Sequence, residues 1–329
     1  MKNKLTPINR RRLMVSAAAT VILPHPFSAW AQSYPDRPVK LIVAFAPGGP
    51  SDIMGRYIAQ KLTESTGKAF IVENLAGAGG NIGMGAVARA PANGLTLLLA
   101  SSTLVVNPSL YKSVPYDVAK DFAPVTIIGE SPHVFFVHPS VQATTMKQLV
   151  DLIKSQPGKF NYVSAGSGTV PHLSVEQLKI LMGLDLTHVP FKGAGPAVQA
   201  VVSGEIQMGC TTLPPVRELV RSGHLQALAV TSAQRFPSAL QIPTMAESGF
   251  SDQESSTWQA LLAPAGTPPA VLAFLLKEML AIINAPGIRA QMVAMGFTAI
   301  GNQPEEFSRQ IQSEVERWRK VIRESKLEA

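Results

Sequence analysis

From residue 32 onward the chain alternates two kinds of segment. Short apolar runs recur at residues 40–45, 70–72, 95–100, 125–128, 134–137, 161–164, 186–191, 206–210, 225–230 and 259–262, each bounded by Gly, Pro or Ser. Runs this short and continuous suit strands covered on both faces, since a half-exposed strand would alternate polar with apolar residues. Between them lie helical periods. Ile53, Met54, Tyr57, Ile58 and Leu62 form one stripe, and Leu149, Val150 and Ile153 form another behind Thr145, an N-cap residue. The last period is the clearest: Pro304, Glu305 and Glu306 open it, and Phe307, Ile311, Val315, Trp318 and Ile322 follow at spacings of three and four. Trp318 reads there as a packing residue. The alternation predicts an α/β fold with mostly parallel sheets.

Two places read as crossings between domains. Gly129-Glu130-Ser131-Pro132 separates two apolar runs, as if one strand left a sheet and another entered a second sheet. The Pro- and Ser-rich stretch 231–257 has little periodicity before the apolar pattern returns. Two crossings imply a discontinuous domain, residues 32–128 plus 231–329, enclosing a second, residues 129–230.

The first residues have a different character. Lys2, Lys4, Arg10, Arg11 and Arg12 precede an apolar stretch over residues 13–23, and Ala29-Trp30-Ala31 closes the segment. That is the plan of a secretory signal cleaved after Ala31, since the apolar stretch is too short to span a bilayer core of about 30 Å. The arginines suit either the general secretory or the twin-arginine route. Removing residues 1–31 changes the charge picture. The whole chain is +7, but the segment holds five basic and no acidic residues, leaving 24 basic against 22 acidic. No basic stretch is interleaved with stacking aromatics, so nucleic-acid binding is not expected. The lone cysteine, Cys210, permits no internal disulfide and reads as a small buried hydrophobe.

Three Gly- and Ser-rich loops each follow a predicted strand and precede a predicted helix: Ala46-Pro47-Gly48-Gly49-Pro50-Ser51-Asp52, Ala76-Gly77-Ala78-Gly79-Gly80-Asn81 and Ala165-Gly166-Ser167-Gly168-Thr169. Glycines let backbone approach a ligand closely, and the free N–H groups of a helix start favour an anion. Ser51 and Asp52 read either as part of such a site or as N-cap residues. Ser101, Ser102 and Thr103 add hydroxyls at a fourth strand end. In Val189-Pro190-Phe191-Lys192-Gly193, Lys192 either pairs with a ligand carboxylate or is solvated.

Enzyme motifs are mostly missing. Gly83-x-Gly85-x-x-Ala88 fits a dinucleotide fingerprint by letter but starts well after the nearest predicted strand. There is no G-x-S-x-G elbow and no P-loop, and His133, His138, His172, His188 and His224 show no metal-ligand spacing. A serine–histidine–aspartate triad assembled from distant residues stays open.

Several segments together resemble one family. Tyr34-Pro35-Asp36-Arg37-Pro38-Val39-Lys40-Leu41-Ile42-Val43, Pro47-Gly48-Gly49-Pro50-Ser51-Asp52, Gly77-Ala78-Gly79-Gly80-Asn81-Ile82-Gly83, Ser164-Ala165-Gly166-Ser167-Gly168, Val189-Pro190-Phe191-Lys192-Gly193, Ala229-Val230-Thr231-Ser232 and Ala263-Pro264-Ala265-Gly266-Thr267-Pro268 are similar to the substrate-binding proteins of tripartite tricarboxylate transporters, the Bordetella uptake gene family. The resemblance implies a periplasmic binding protein fold of type II, with two α/β lobes joined by a two-strand hinge and a ligand cleft between them. It also implies a monomer that captures a small organic acid, a di- or tricarboxylate or an aromatic acid, for membrane permease subunits. Expected ligand contacts are Phe45, Gly48, Gly49, Ser51, Asp52, Gly77, Ala78, Gly79, Ser101, Ser102, Ser164, Ala165, Gly166, Ser167, Thr169, His172, Lys192 and Gly193. His172 either touches ligand or braces its loop. No metal or other cofactor is expected. The chain departs from the family at Asn74-Leu75-Ala76-Gly77, where members often read Asn-Arg-Pro-Gly, and at Gln207, where they often place Asp. The identity of the acid therefore does not carry over. Alternative readings are a ligand sensor feeding a signalling protein and a periplasmic hydrolase.

Overall fold

The structure, a computed structural model, describes residues 34–325; the export segment expected over residues 1–31 lies outside the described residues. The chain first lays down β1 (Val39–Val43), α1 (Pro50–Thr66), β2 (Phe70–Asn74), α2 (Asn81–Ala88), β3 (Thr96–Ser101) and α3 (Thr103–Leu110). β1 sits in parallel register between β2 and β3. The long β4 (Phe122–Val137) then leads into α4 (Met146–Ser155), β5 (Phe160–Ser164), α5 (Val170–Met182), β6 (Leu186–Pro190), α6 (Ala194–Val202), β7 (Met208–Thr212), α7 (Arg217–Arg221) and β8 (Gln226–Val230). β5 pairs in parallel with β6 and β7. The chain returns through β9 (Ser256–Pro264) and ends in α8 (Pro269–Asn284), α9 (Ile288–Met295), β10 (Thr298–Ala299) and α10 (Pro304–Ser325). This is the two-lobed α/β architecture of a periplasmic binding protein.

Burial on both sheet faces explains the continuous apolar runs. In the first lobe Leu41, Val43, Leu97 and Leu99 pack against Met54, Ile58 and Leu62 of α1, while Ile42, Ala44, Leu98 and Ala100 pack on the other face against Met84, Leu104, Phe307 and Ile311. The second lobe repeats the plan. Phe135, Val137, Tyr162 and Cys210 meet α4 and α5, and Val134, Phe136 and Val163 meet α6. Each buried Val, Leu, Ile, Phe or Met side chain contributes about 1.5–3 kcal/mol by leaving water. Cys210 is the buried hydrophobe the sequence suggested, and burial pushes its thiol pKa up.

Two expectations need correction. The sheets are mixed, because β3 with β9, and β4 with β7, β8, β9 and β10, pair antiparallel. A continuous apolar run reports cover on both faces and carries no information on strand direction. The two runs flanking residues 129–132 are also not separate strands. β4 passes through both lobes, its first part paired with β9 and its last part with β7 and β8. Register shifts after Pro124 and Ile127 mark bulges, the places where a long strand tolerates Pro and Gly.

At the crossing β4 and β9 run side by side: Glu130 faces Trp258, Ser131 faces Thr257, and Pro132 faces Ser256.

Candidate functional site

A chamber of about 30 Å³ lies where the two lobes meet, lined by Phe45, Pro50, Ser51, Ser101, Thr103, Ala165, Thr169, Pro171, Ala194, Thr211, Thr212, Thr257 and Gln259. Four helices contribute their first turns or caps: α1 through Pro50 and Ser51, α3 through Thr103, α5 through Thr169 and Pro171, and α6 through Ala194. Each helix start carries roughly half a positive elementary charge from aligned peptide dipoles, so four together favour an anion. Apart from its apolar members the lining consists of hydroxyls and one amide, with no charged side chain.

Donor capacity is left over in this chamber. Ser51 Oγ donates to Gln259 Oε1 (2.7 Å), which fixes the amide and directs its other end away from Ser51. Gln259 Nε2 and Thr212 Oγ1 are buried with no hydrogen-bond partner among the described residues. An unmet buried donor costs about 1–3 kcal/mol, a cost that an acceptor ligand relieves.

The first-lobe loop is held by Asp52. The N-cap of α1 is Gly49, with Pro50 at the first helical position, so neither Ser51 nor Asp52 is the cap. Asp52 reaches back to accept the Gly48 N–H (3.0 Å), while Arg56 grips both its oxygens (3.0 and 2.9 Å) and Asn74 Nδ2 donates to it (3.0 Å). Burial acts to raise its pKa, but these donors outweigh burial and hold it below the usual carboxylate value. Asp52 is thus an anionic brace with its acceptors engaged, and it does not line the chamber.

The second-lobe loop is held by aromatic rings. Ser164 Oγ accepts the Gly166 N–H (3.1 Å) and lies 2.6 Å from His188 Nε2; His172 Nδ1 accepts the Gly168 N–H (3.4 Å). His188 stacks between His172 (4.1 Å) and Tyr162 (4.8 Å). Burial lowers the pKa of His172 to about 4 and that of His188 to about 3, so both rings are neutral near pH 7. His172 thus contacts its own loop and is not among the residues that line the chamber. Ser164 and His188 are within the reach a hydrolase would need, but Ser164 is buried off the chamber and so weak a base would not activate it.

The lobes touch directly beside the chamber. Ala46 N–H donates to Lys192 O (3.0 Å), and Tyr111 Oη to Ser167 O (3.0 Å). A Cβ on Gly193 would sit 2.8 Å from Ala46 N, and one on Gly79 2.7 Å from Ser167 O. Of the expected contacts, Phe45, Ser51, Ser101, Ala165 and Thr169 line the chamber. Gly48, Gly49, Gly166 and Gly193 shape the loops around it. Gly77 caps a 3-10 turn, Ala78–Gly80, held through Gly79 O by Asn107 (3.0 Å), and Lys192 is exposed, contributing its carbonyl and not its ammonium. Ser102 lines a different and larger groove. Sequence reading missed Pro171, Thr211, Thr212, Thr257 and Gln259. Gln259 had left a signal, a wholly buried amide inside an apolar run.

The model of the family described as "Tripartite tricarboxylate transporter family receptor" matches residues 54–327. The chain belongs to that family. Its receptors are substrate-binding proteins and not enzymes. This receptor is 36% identical over 297 residues to the protein BugT of Bordetella pertussis, covering 90% of this chain and 91% of that one. Among solved structures, an R. palustris protein with adipate superposes with a TM-score of 0.87 at 31% identity, covering 90% of the receptor and 99% of that chain. MatC from Rhodopseudomonas palustris with bound malate superposes with a TM-score of 0.82 at 28% identity, covering 88% and 100%.

Proposed function

We propose that this receptor is a monomeric periplasmic protein that captures a small organic acid and delivers it to the membrane permease subunits of a tripartite tricarboxylate transporter. The observation that carries the reading is the chamber: four helix starts, a neutral hydroxyl lining, and the unpartnered donors of Gln259 and Thr212. Neutral donors with converging dipoles suit a carboxylate, because they stabilise its charge without a counter-ion that must itself be desolvated. About 30 Å³ accommodates one carboxylate group, so the remainder of a di-acid needs the loops to part. The adipate and malate bound by the two similar proteins support the same class of ligand.

Parting is a hinge motion about β4 and the start of β9, between lobes made of residues 32–128 plus 231–329 and residues 129–230. An export signal cleaved after Ala31 fits delivery to that compartment.

Thermal melting against adipate, malate, citrate, benzoate and the neutral diamide of adipic acid tests this reading, because a ligand of the native state raises the midpoint. At least one acid is expected to raise it while the diamide does not. A response to the diamide with none to the acids would overturn it.

A further inference from the structure

A groove of about 780 Å³ lies back to back with the chamber, between α5 and α10. Successive residues divide between the two sites: Ser101, Thr169, Thr257 and Gln259 line the chamber, whereas Ser102, Val170, Ser256 and Trp258 line the groove. In the strands this is the period-2 alternation of side chains across a sheet.

The groove has the features of a built site. Ser102 is 2% exposed, lines it, and has a hydroxyl with no hydrogen-bond partner among the described residues; Trp318 Nε1, also on the lining, is likewise buried and unpartnered. Glu130, Glu254 and Glu314 face it, and none forms an ion pair with a described residue. Glu130 accepts only from Ser256 Oγ (2.8 Å) and Glu314 from the Trp258 and Gln310 side chains (3.1 and 2.8 Å). The one cation among the described lining residues, Arg317, lies over the Trp318 ring (5.0 Å), the contact an aromatic face offers a positive charge.

We propose that this groove is a second ligand site, which takes a small organic cation with an apolar body. Its volume is that of a small-molecule pocket, its carboxylates supply the counter-charge, and Trp258, Trp318 and Phe236 supply the aromatic wall.

Trp258 and Trp318 are the only tryptophans beyond residue 33 and both line the groove, so intrinsic fluorescence reports on it. Benzyltrimethylammonium, phenethylamine and spermidine titrated into the wild-type protein should give a saturable fluorescence change with at least one of them. The E254Q/E314Q double variant should bind that cation about three- to tenfold more weakly, the loss expected of two partly exposed ion pairs. It should also keep its thermal response to organic acids, which confirms that it folds and that the chamber is intact. No saturable change with any of the three at millimolar concentration, or equal affinity in the double variant, would overturn the proposal. A response confined to a lysine-rich peptide would overturn it too and mark the groove as a protein-docking surface.

Discussion

Three histidines, the buried His133 and His172 and the half-buried His188, are held as neutral rings, and each serves as a fixed hydrogen-bonding post. His133 spans the crossing: its Nε2 meets Thr257 Oγ1 (2.8 Å), and its Nδ1 meets Ser255 Oγ (2.9 Å) and Ser174 Oγ (3.2 Å). Burial lowers their pKa values from 6.5 to about 3, 4 and 3 respectively; for His172 the nearby Glu176 opposes the shift, and Lys179 adds to it. Since the folded rings stay neutral while the unfolded chain takes up protons below about 6.5, their stabilisation is complete above that pH. It is lost as pH falls toward 4, at up to about 1.4 kcal/mol per pH unit for the fully buried His133 and less for the half-buried His188, whose charge solvent screens. Urea midpoints should therefore drop steeply between pH 7 and pH 4.5; a flat profile would contradict the neutral-ring account. The roles of these residues were not legible in sequence, where histidine spacing showed no metal-ligand pattern but could not show that residues 162, 172 and 188 stack. Asp52 changed role for a similar reason. Its position in an anion-favouring loop was legible, but the acceptors it spends on Arg56 and Asn74 depend on tertiary geometry.

The secondary elements were far more legible. The stripes of α1 and α10 and the Thr145 cap of α4, which accepts the Gln148 N–H (3.2 Å), follow from local spacing and so appear in the chain directly. β4 did not, because Gly129 and Pro132 read as breakers unless the bulges and the paired β9 are known. At this scale the loops must come very close, and glycine is what permits it. A Cβ on Gly195 would collide with Pro47 O across the lobe boundary, although its own backbone does not need a left-handed conformation. Gly195→Ala should leave the unfolding midpoint of the ligand-free protein nearly unchanged and speed the release of bound acid. A dissociation rate equal to wild type in stopped-flow would show that these loops need not meet to hold the ligand.

For the molecule as a whole, the proposed capture rests on where the polar groups were left unsatisfied. The apolar runs gave two lobes with both sheet faces covered, and the glycine loops placed helix starts at the boundary. The Gly-rich motifs pointed to that boundary from sequence alone. Thr211, Thr212, Thr257 and Gln259 did not, since they lie on β7 and β9, and only the sheet order brings those strands to the same cavity. The most direct test is calorimetric titration of the organic acid that gives the largest melting shift, into the wild type and into Gln259→Leu. If the free amide holds a carboxylate, the variant should melt normally and lose at least about tenfold in affinity, the 1.5–3 kcal/mol typical of a hydrogen bond to a charged group. An unchanged dissociation constant in a folded Gln259→Leu protein would contradict the chamber as the place where the acid is held.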